Sequence, residues 1–334
     1  MRNVYADCAA SSPVLPMLWD ILRDRELANP NATHFLGRKA RTMLEAAREH
    51  IAECIGADKP SEIAFTTSAT AACRFAIDVM NIGWCSDYEH KAVHDHVEFC
   101  RAFGVVDDDT YAHMLVNNET GVRYDYEVKQ DSLRYRVFTD ATAAVGQIPV
   151  NVKELGVEAL AAGAHKFGGI PGIGFLYMKG GITDDDTYPG TPPVALAVAM
   201  SEALLYRTEH MYEDTERMQA NICRLGMNIM EIEGAHINTP IHSVRSILSV
   251  RFDGVNAREL LVSLDAQGVC ASAGAACSAN ADEPSRVLLA SGLTEEQALS
   301  TIRLSFCPET PCDDYIYLAH ALRRSVSQLK QLSQ

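Results

Sequence analysis

The chain reads as an α/β protein of two domains, the larger built on a mostly parallel sheet and the smaller a second α/β unit. Three features of the sequence say so. Short apolar runs alternate with helical patterns, as in strand–helix–strand units. Polar residues recur just past the ends of those runs, where open α/β sheets bind ligands. And 334 residues are more than one compact core usually organises. Leu44, Ala47, Ile51 and Ile55 recur at helical spacing and predict a helix over 38–55. The run 62–67 (EIAFTT) predicts a buried strand, with a helix following from Ala69. The runs 111–116 (YAHMLV) and 136–139 (RVFT) predict two further strands, the second ending at Asp140, and 159–163 and 174–178 flank the pair His165-Lys166. From Val194 to about Ile232 the pattern is helical, and 246–252, 269–272 and 301–305 then predict strands of the smaller unit. The boundary falls near Thr191-Pro192-Pro193, giving a large domain over 13–193 and a small one from 1–12 and 194–334.

Composition excludes several roles. Hydrophobic residues make up 47% and charged residues 22%, a globular balance. No apolar run of about 18 residues suggests a membrane span, and the N-terminus has no basic-then-apolar signal pattern, so a cytoplasmic protein is expected. A net charge of −15 argues against broad binding to nucleic acid or anionic lipid. The ten cysteines show no C-x-x-C spacing and read as free thiols, most of them small buried hydrophobes. His90, His94 and His96 lie close together, but with no Cys or carboxylate set to complete a ligand group no metal site is expected.

Lys166 follows an apolar run and His165, and precedes Phe167 and a glycine-rich turn. A lysine placed there is partly desolvated, which lowers its pKa and suits Schiff-base chemistry; read locally, it is equally a helix-end lysine before a turn. Cys277 stands apart from the other thiols because its neighbours, Ala275, Ala276, Ser278, Ala279 and Asn280, are small or polar and pack poorly. Cys270, in an apolar strand-like context, reads as structural.

Ten segments, in one shared order, resemble the cysteine desulfurases, a branch of the class V aminotransferase group with the type I pyridoxal-phosphate fold: YADCAASSPV, NPNATHFLGRKAR, FTTSATAA, EHKAV, VNNETG, FTDATAAVGQIPV, GAHKFGGIPGIGFLY, GTPP, ASAGAACSANADEPSRVL and STIRLSF. The resemblance implies that Lys166 carries pyridoxal 5'-phosphate and that Asp140 pairs with its ring nitrogen, which must stay protonated for the ring to store electrons; taken alone, Asp140 is also a helix cap. It implies that His90 stacks on the ring and moves protons, that Ala69, Thr70 and His165 hold the phosphate, and that Asn118 contacts cofactor and substrate. Thr191 would reach the phosphate of a neighbouring subunit, making the active unit a homodimer. Arg303 would bind the substrate carboxylate as a fork, and Cys277 would take the sulfur. The implied activity is conversion of L-cysteine to L-alanine with a persulfide on Cys277, passed on to an iron–sulfur scaffold or a thiolation enzyme. A selenocysteine lyase or related class V lyase, and a non-catalytic partner-binding homologue, remain alternatives.

Several positions depart from the family pattern. Cys8 stands where Asn is usual, Ala143 where Gln is, Gly163 where Ser is, and Ala71 and Arg74 where Glu and Asn are. Arg74 compensates as a cation if it faces inward. The stretch between His90 and Asp140 is short, as is the one after Met178, which reads GGITDDDTYPGTPP. Each hydrogen bond lost to a charged group is worth roughly 1.5–3 kcal/mol, so the losses at Ala143 and Gly163 together predict cofactor retention weaker by about 10²-fold.

Overall fold

The computed structural model describes residues 2–23, 28–188, 190–274 and 283–332. In chain order the strands are β1 (Val4–Tyr5), β2 (Ile63–Thr66), β3 (Ile82–Cys85), β4 (Asp107–Ala112), β5 (Arg136–Asp140), β6 (Ala159–Gly163), β7 (Gly174–Met178), β8 (Ala235–Ile237), β9 (Ile247–Phe252), β10 (Val269–Cys270) and β11 (Thr301–Ser305). The chain divides into two compact units: 12–116 with 124–211, and 1–11 with 117–123 and 212–334. The division falls at Met211 rather than near Pro193 because Val194–Met230 is one unbroken helix that belongs to both. Asn117–Arg123 joins the smaller unit, where Val122 bridges Ser243.

The larger unit is a six-stranded sheet in the order β2-β7-β6-β5-β4-β3. β3 to β6 run parallel, and β7 is antiparallel to both its neighbours. β2, β5, β6 and β7 are buried almost throughout and read as continuous apolar runs. The expected helix spans Phe35–Ile55, capped by His34, whose Nδ1 accepts the Gly37 amide at 3.2 Å. A helix over Ala69–Met80 follows β2, and one over Lys91–Ala102 follows β3; their inner faces pack with β5, β6 and β7 in one core that includes Ala76, Ile77, Val93, Val97, Phe138 and Leu176.

One predicted strand is displaced. The ladder is Asp107–Ala112, not 111–116. Its outer half, Asp107–Asp109, is half-buried or exposed and carries no apolar signal, while the apolar stretch 113–116 leaves the ladder as a buried connection. Backbone pairing with β3 and β5, not hydrophobicity, fixes this strand. β3, four residues with Trp84 exposed, escaped the sequence reading for the same reason.

β2 lies at an edge of the sheet, and the short segment after β7 closes that edge. Asp184 takes the Phe65 amide at 2.9 Å and pairs with Arg48 at 2.7 Å; the Thr187 hydroxyl donates to the Phe65 carbonyl at 2.7 Å; and Arg48 also donates to the Ile63 carbonyl. A hydrophobic edge strand thus has its free backbone groups satisfied by side chains.

The smaller unit has its own core, built from the antiparallel strands β11-β9-β8, the parallel pair β1-β10 and the helices Ala257–Asp265 and Cys312–Leu332. Phe252, Leu260, Ile302, Leu304 and Leu322 are among its fully buried side chains. No helix among the described residues is long and apolar enough to cross a membrane.

Candidate active site

In the larger unit the expected cofactor residues follow the C-terminal ends of parallel strands. Ala69 and Thr70 open the helix after β2, and Ser68 caps that helix by accepting the Ala71 amide at 3.1 Å. The amides of the first helical turn have no partner within the helix and carry its positive end. Ala69 is buried and Thr70 exposed. Two glycines bring this helix start close to the sheet. A Cβ on Gly174 would lie 2.9 Å from the Ala69 nitrogen, and one on Gly163 would lie 3.1 Å from the Ala69 Cβ and 3.3 Å from the His165 ring. The Ser-to-Gly departure at 163 therefore has a packing reason: helix start and imidazole occupy the space a side chain would need.

His90 is the N-cap of the helix Lys91–Ala102. Its Nδ1 accepts the Ala92 amide at 3.1 Å, which in the neutral ring places the proton on Nε2. The turn that presents it is held by Glu89, a buried carboxylate that takes the Ser86 hydroxyl at 2.9 Å and the Met114 amide. Asp140 ends β5, 7% exposed, and its Oδ1 takes the Thr142 amide at 2.9 Å. Burial, and then the nearby Asp140 charge, drive the Cys73 thiol well above its usual range, so Cys73 stays protonated. The Thr142 hydroxyl is buried with no partner among the described residues.

His165 and Lys166 lie on the one-turn helix Ala164–Lys166 after β6, both half-buried. Burial, and then the charge of Lys166, lower His165 to about 4, so its imidazole is neutral at pH 7. The His165 carbonyl takes the Ser12 amide at 2.7 Å. Thr191 is exposed in the connection before the helix at Val194, and Arg74 is exposed rather than turned inward.

Asn118 and Arg303 belong to the smaller unit. Arg303, on β11, is 1% exposed and is not a free fork: Nη2 pairs with Asp7 at 2.7 Å and Nη1 donates to the Asn118 carbonyl at 2.9 Å, while Nε has no partner among the described residues. Its backbone bridges Ser272. Cys277 lies outside the described residues. The chain on either side of 275–282 converges on Glu119, whose carboxylate takes the Ser285 hydroxyl at 2.6 Å and would lie 2.7 Å from a Cβ on Gly274. Burial pushes the Glu119 carboxyl up, opposed by the Ser285 hydrogen bond and then by Arg303. Cys270, read as structural, is exposed on β10.

Sequence reasoning missed Cys73, Glu89 and Glu119. Glu89 and Glu119 stand beside quoted motif residues, His90 and Asn118, which is the signal available for them; nothing in the sequence singles out Cys73 among ten thiols.

The profile of the family described as "Aminotransferase class-V" matches residues 4–99, 105–185 and 183–315. The chain belongs to the class V aminotransferase family, among its cysteine desulfurases. Over 386 aligned residues, 99% of this chain and 94% of theirs, it is 32% identical to proteins named cysteine desulfurase IscS from Escherichia coli O139:H28 and from strain K12 / DH10B. Among solved structures it is similar to a NifS-like protein (TM-score 0.86, 25% identity, 98% of this chain and 100% of that one). It is also similar to SspA in complex with cysteine (TM-score 0.76, 25% identity, 92% of this chain and 100% of that one). The fold of this desulfurase is accordingly the one the sequence motifs imply.

Proposed function

We propose that this desulfurase uses pyridoxal phosphate to convert L-cysteine to L-alanine, moving the sulfur to Cys277 as a persulfide. The observation that carries this is that an anion-binding helix start, a buried carboxylate and a lysine follow strands β2, β5 and β6 at the same edge of one sheet. The donor set fits the cofactor. Ala69, Thr70 and the neutral His165 would hold its phosphate, where Gly163 and Gly174 let helix and sheet approach; Asp140, held by the Thr142 amide, would pair with a protonated ring nitrogen; and Lys166 would hold its aldehyde carbon. Bound there, pyridoxal phosphate supplies an electrophilic carbon and an electron sink.

The remaining work falls to the protein. The Lys166 amine accepts the substrate α-proton. His90, held by its cap with the proton on Nε2, donates near the substrate sulfur. Arg303 takes the substrate carboxylate, its Nε being the guanidinium nitrogen with no bond to a described residue, and Asn118 orients the substrate beside it. The Cys277 thiolate attacks the substrate sulfur, forming an S–S bond as the carbon–sulfur bond breaks; the products are L-alanine and the Cys277 persulfide. Thr191, exposed, would complete the phosphate site of a second copy in a homodimer, and the persulfide would pass to an acceptor such as an iron–sulfur scaffold or a thiolation enzyme.

The test is incubation of the purified protein with L-cysteine, followed by mass spectrometry of Cys277 and measurement of alanine. A persulfide on Cys277 is expected, together with alanine release that Cys277→Ala abolishes and visible absorbance that Lys166→Ala removes. Sulfur release unchanged in Cys277→Ala would refute the mechanism.

A further inference from the structure

The geometry points to a divalent-metal site of the zinc class, formed by Asp78, His96 and Cys100 on the outer side of the larger unit. Asp78 lies on the helix Ala69–Met80, and His96 and Cys100 lie four residues apart on the helix Lys91–Ala102. That spacing puts both on one helical face, and the packing of the two helices brings Asp78 to it. Asp78 Oδ1 is 2.8 Å from His96 Nε2 and 3.8 Å from Cys100 Sγ, and the three donor atoms lie within 4.8 Å of one another. In a tetrahedral zinc site with these ligand types, donor atoms stand roughly 3.3–3.6 Å apart, so small side-chain rotations convert the cluster into three ligands. The histidines at 90, 94 and 96 do not act together: His90 caps its helix, and the carboxylate and thiol that complete His96 come from another helix and the next turn.

The burial gradient suits a metal. Cys100 is 8% exposed, the His96 side chain 21% and the Asp78 side chain 58%, so an ion enters from water at Asp78 and meets the soft ligand at the bottom. A thiolate, an imidazole and a carboxylate together favour zinc over magnesium or calcium. Three protein ligands leave the fourth position to water. On binding, Cys100 gives its thiol proton to solvent and its sulfur bonds the metal; His96 binds through Nε2 as the neutral ring with its proton on Nδ1; and the His96–Asp78 hydrogen bond gives way to two bonds to one ion. No electron transfer is involved. The chain's charge of −15 favours cation capture. The two helices so joined are the ones whose first turns carry Ala69, Thr70 and the capping His90, so the ion acts as a clamp on the scaffold behind those residues.

The test is titration of the cofactor-loaded enzyme with cobalt(II), in a phosphine rather than a thiol reductant. One equivalent is expected to bind with sulfur-to-metal charge-transfer absorbance, displaced by zinc. Cys100→Ser removes that absorbance, and His96→Gln weakens binding by more than about 100-fold, beyond the loss typical of an outer-shell partner. Asp78→Asn, at an exposed position that leaves the fold intact, weakens it at least about tenfold, and zinc raises the melting temperature of the wild type but not of this variant. Cys277→Ser leaves the charge-transfer band in place. Charge-transfer absorbance that persists in Cys100→Ser, zinc stabilisation undiminished in Asp78→Asn, or a wild-type spectrum unmoved by cobalt would each overturn the site.

Discussion

Gly163 and His165 show how closely the proposed phosphate site is packed. A side chain at 163 would press on the Ala69 Cβ at 3.1 Å and the His165 ring at 3.3 Å. Gly163→Ser, which restores the residue usual in the family, is therefore expected to destabilise the fold by about 1–3 kcal/mol through overpacking without improving cofactor retention; denaturant unfolding and cofactor release read the two effects separately. His165 offers a pH test. Its folded pKa is lowered to about 4 from an ordinary 6.5, so between those values the unfolded chain binds a proton that the folded one refuses. Stability is then expected to fall as pH drops from 6.5 towards 4, with His165 contributing a slope of at most about 1.4 kcal/mol per pH unit; His165→Gln should remove that part of the slope in unfolding curves. At this scale the sequence was legible wherever motif residues follow strand ends, as at Asp140 and Lys166. It was silent on what those residues touch. That Cys73 lies near Asp140 and that Arg303 is already committed to Asp7 and Asn118 follow from tertiary packing.

Among the elements, the helices Phe35–Ile55 and Val194–Met230 were the most legible, while Cys312–Leu332, equally amphipathic, was not read. Leu44, Ala47, Ile51 and Ile55 all face the core of Phe35–Ile55. Strands buried on both faces, β2, β5, β6 and β7, were found as apolar runs. β4 was misplaced because half of it is acid-rich and half-buried or exposed, and β1, β3 and β8, two to four residues long, are defined by pairing rather than by pattern. In the proposed sulfur transfer the residues flanking 275–282 matter most, and Glu119 grips them, taking the Ser285 hydroxyl on one side and lying close to Gly274 on the other. Glu119→Ala is expected to loosen that grip and to lower kcat for alanine release at least about tenfold, the equivalent of one hydrogen bond to a charged group, with KM for L-cysteine little changed; Glu119→Gln, which can still accept from Ser285, should recover part of the loss. Steady-state kinetics of the two variants distinguish a positioning residue from one that binds substrate.

For the whole molecule, two units with separate cores divide within one continuous helix, Val194–Met230, so stability must be supplied twice. In the larger unit the buried pair Arg48–Asp184 is a sensitive point. Arg48→Ala leaves Asp184 and the Ile63 carbonyl of β2 without their partner and is expected to cost about 3–5 kcal/mol, measured by chemical unfolding of that unit. The loss should exceed that of the solvent-screened pair Lys153–Asp58, which contributes little.

The same closure of β2 bears on what the protein does in company. Ile63, Ala64 and Phe65 are fully buried, low-charge and β-prone, the composition that templates strand addition between molecules once an edge is bared. Arg48, Asp184 and Thr187 occupy the backbone positions that an incoming strand of another chain would need. A variant that loses this closure should therefore fail first by self-association at high concentration, visible as light scattering before any loss of helix signal.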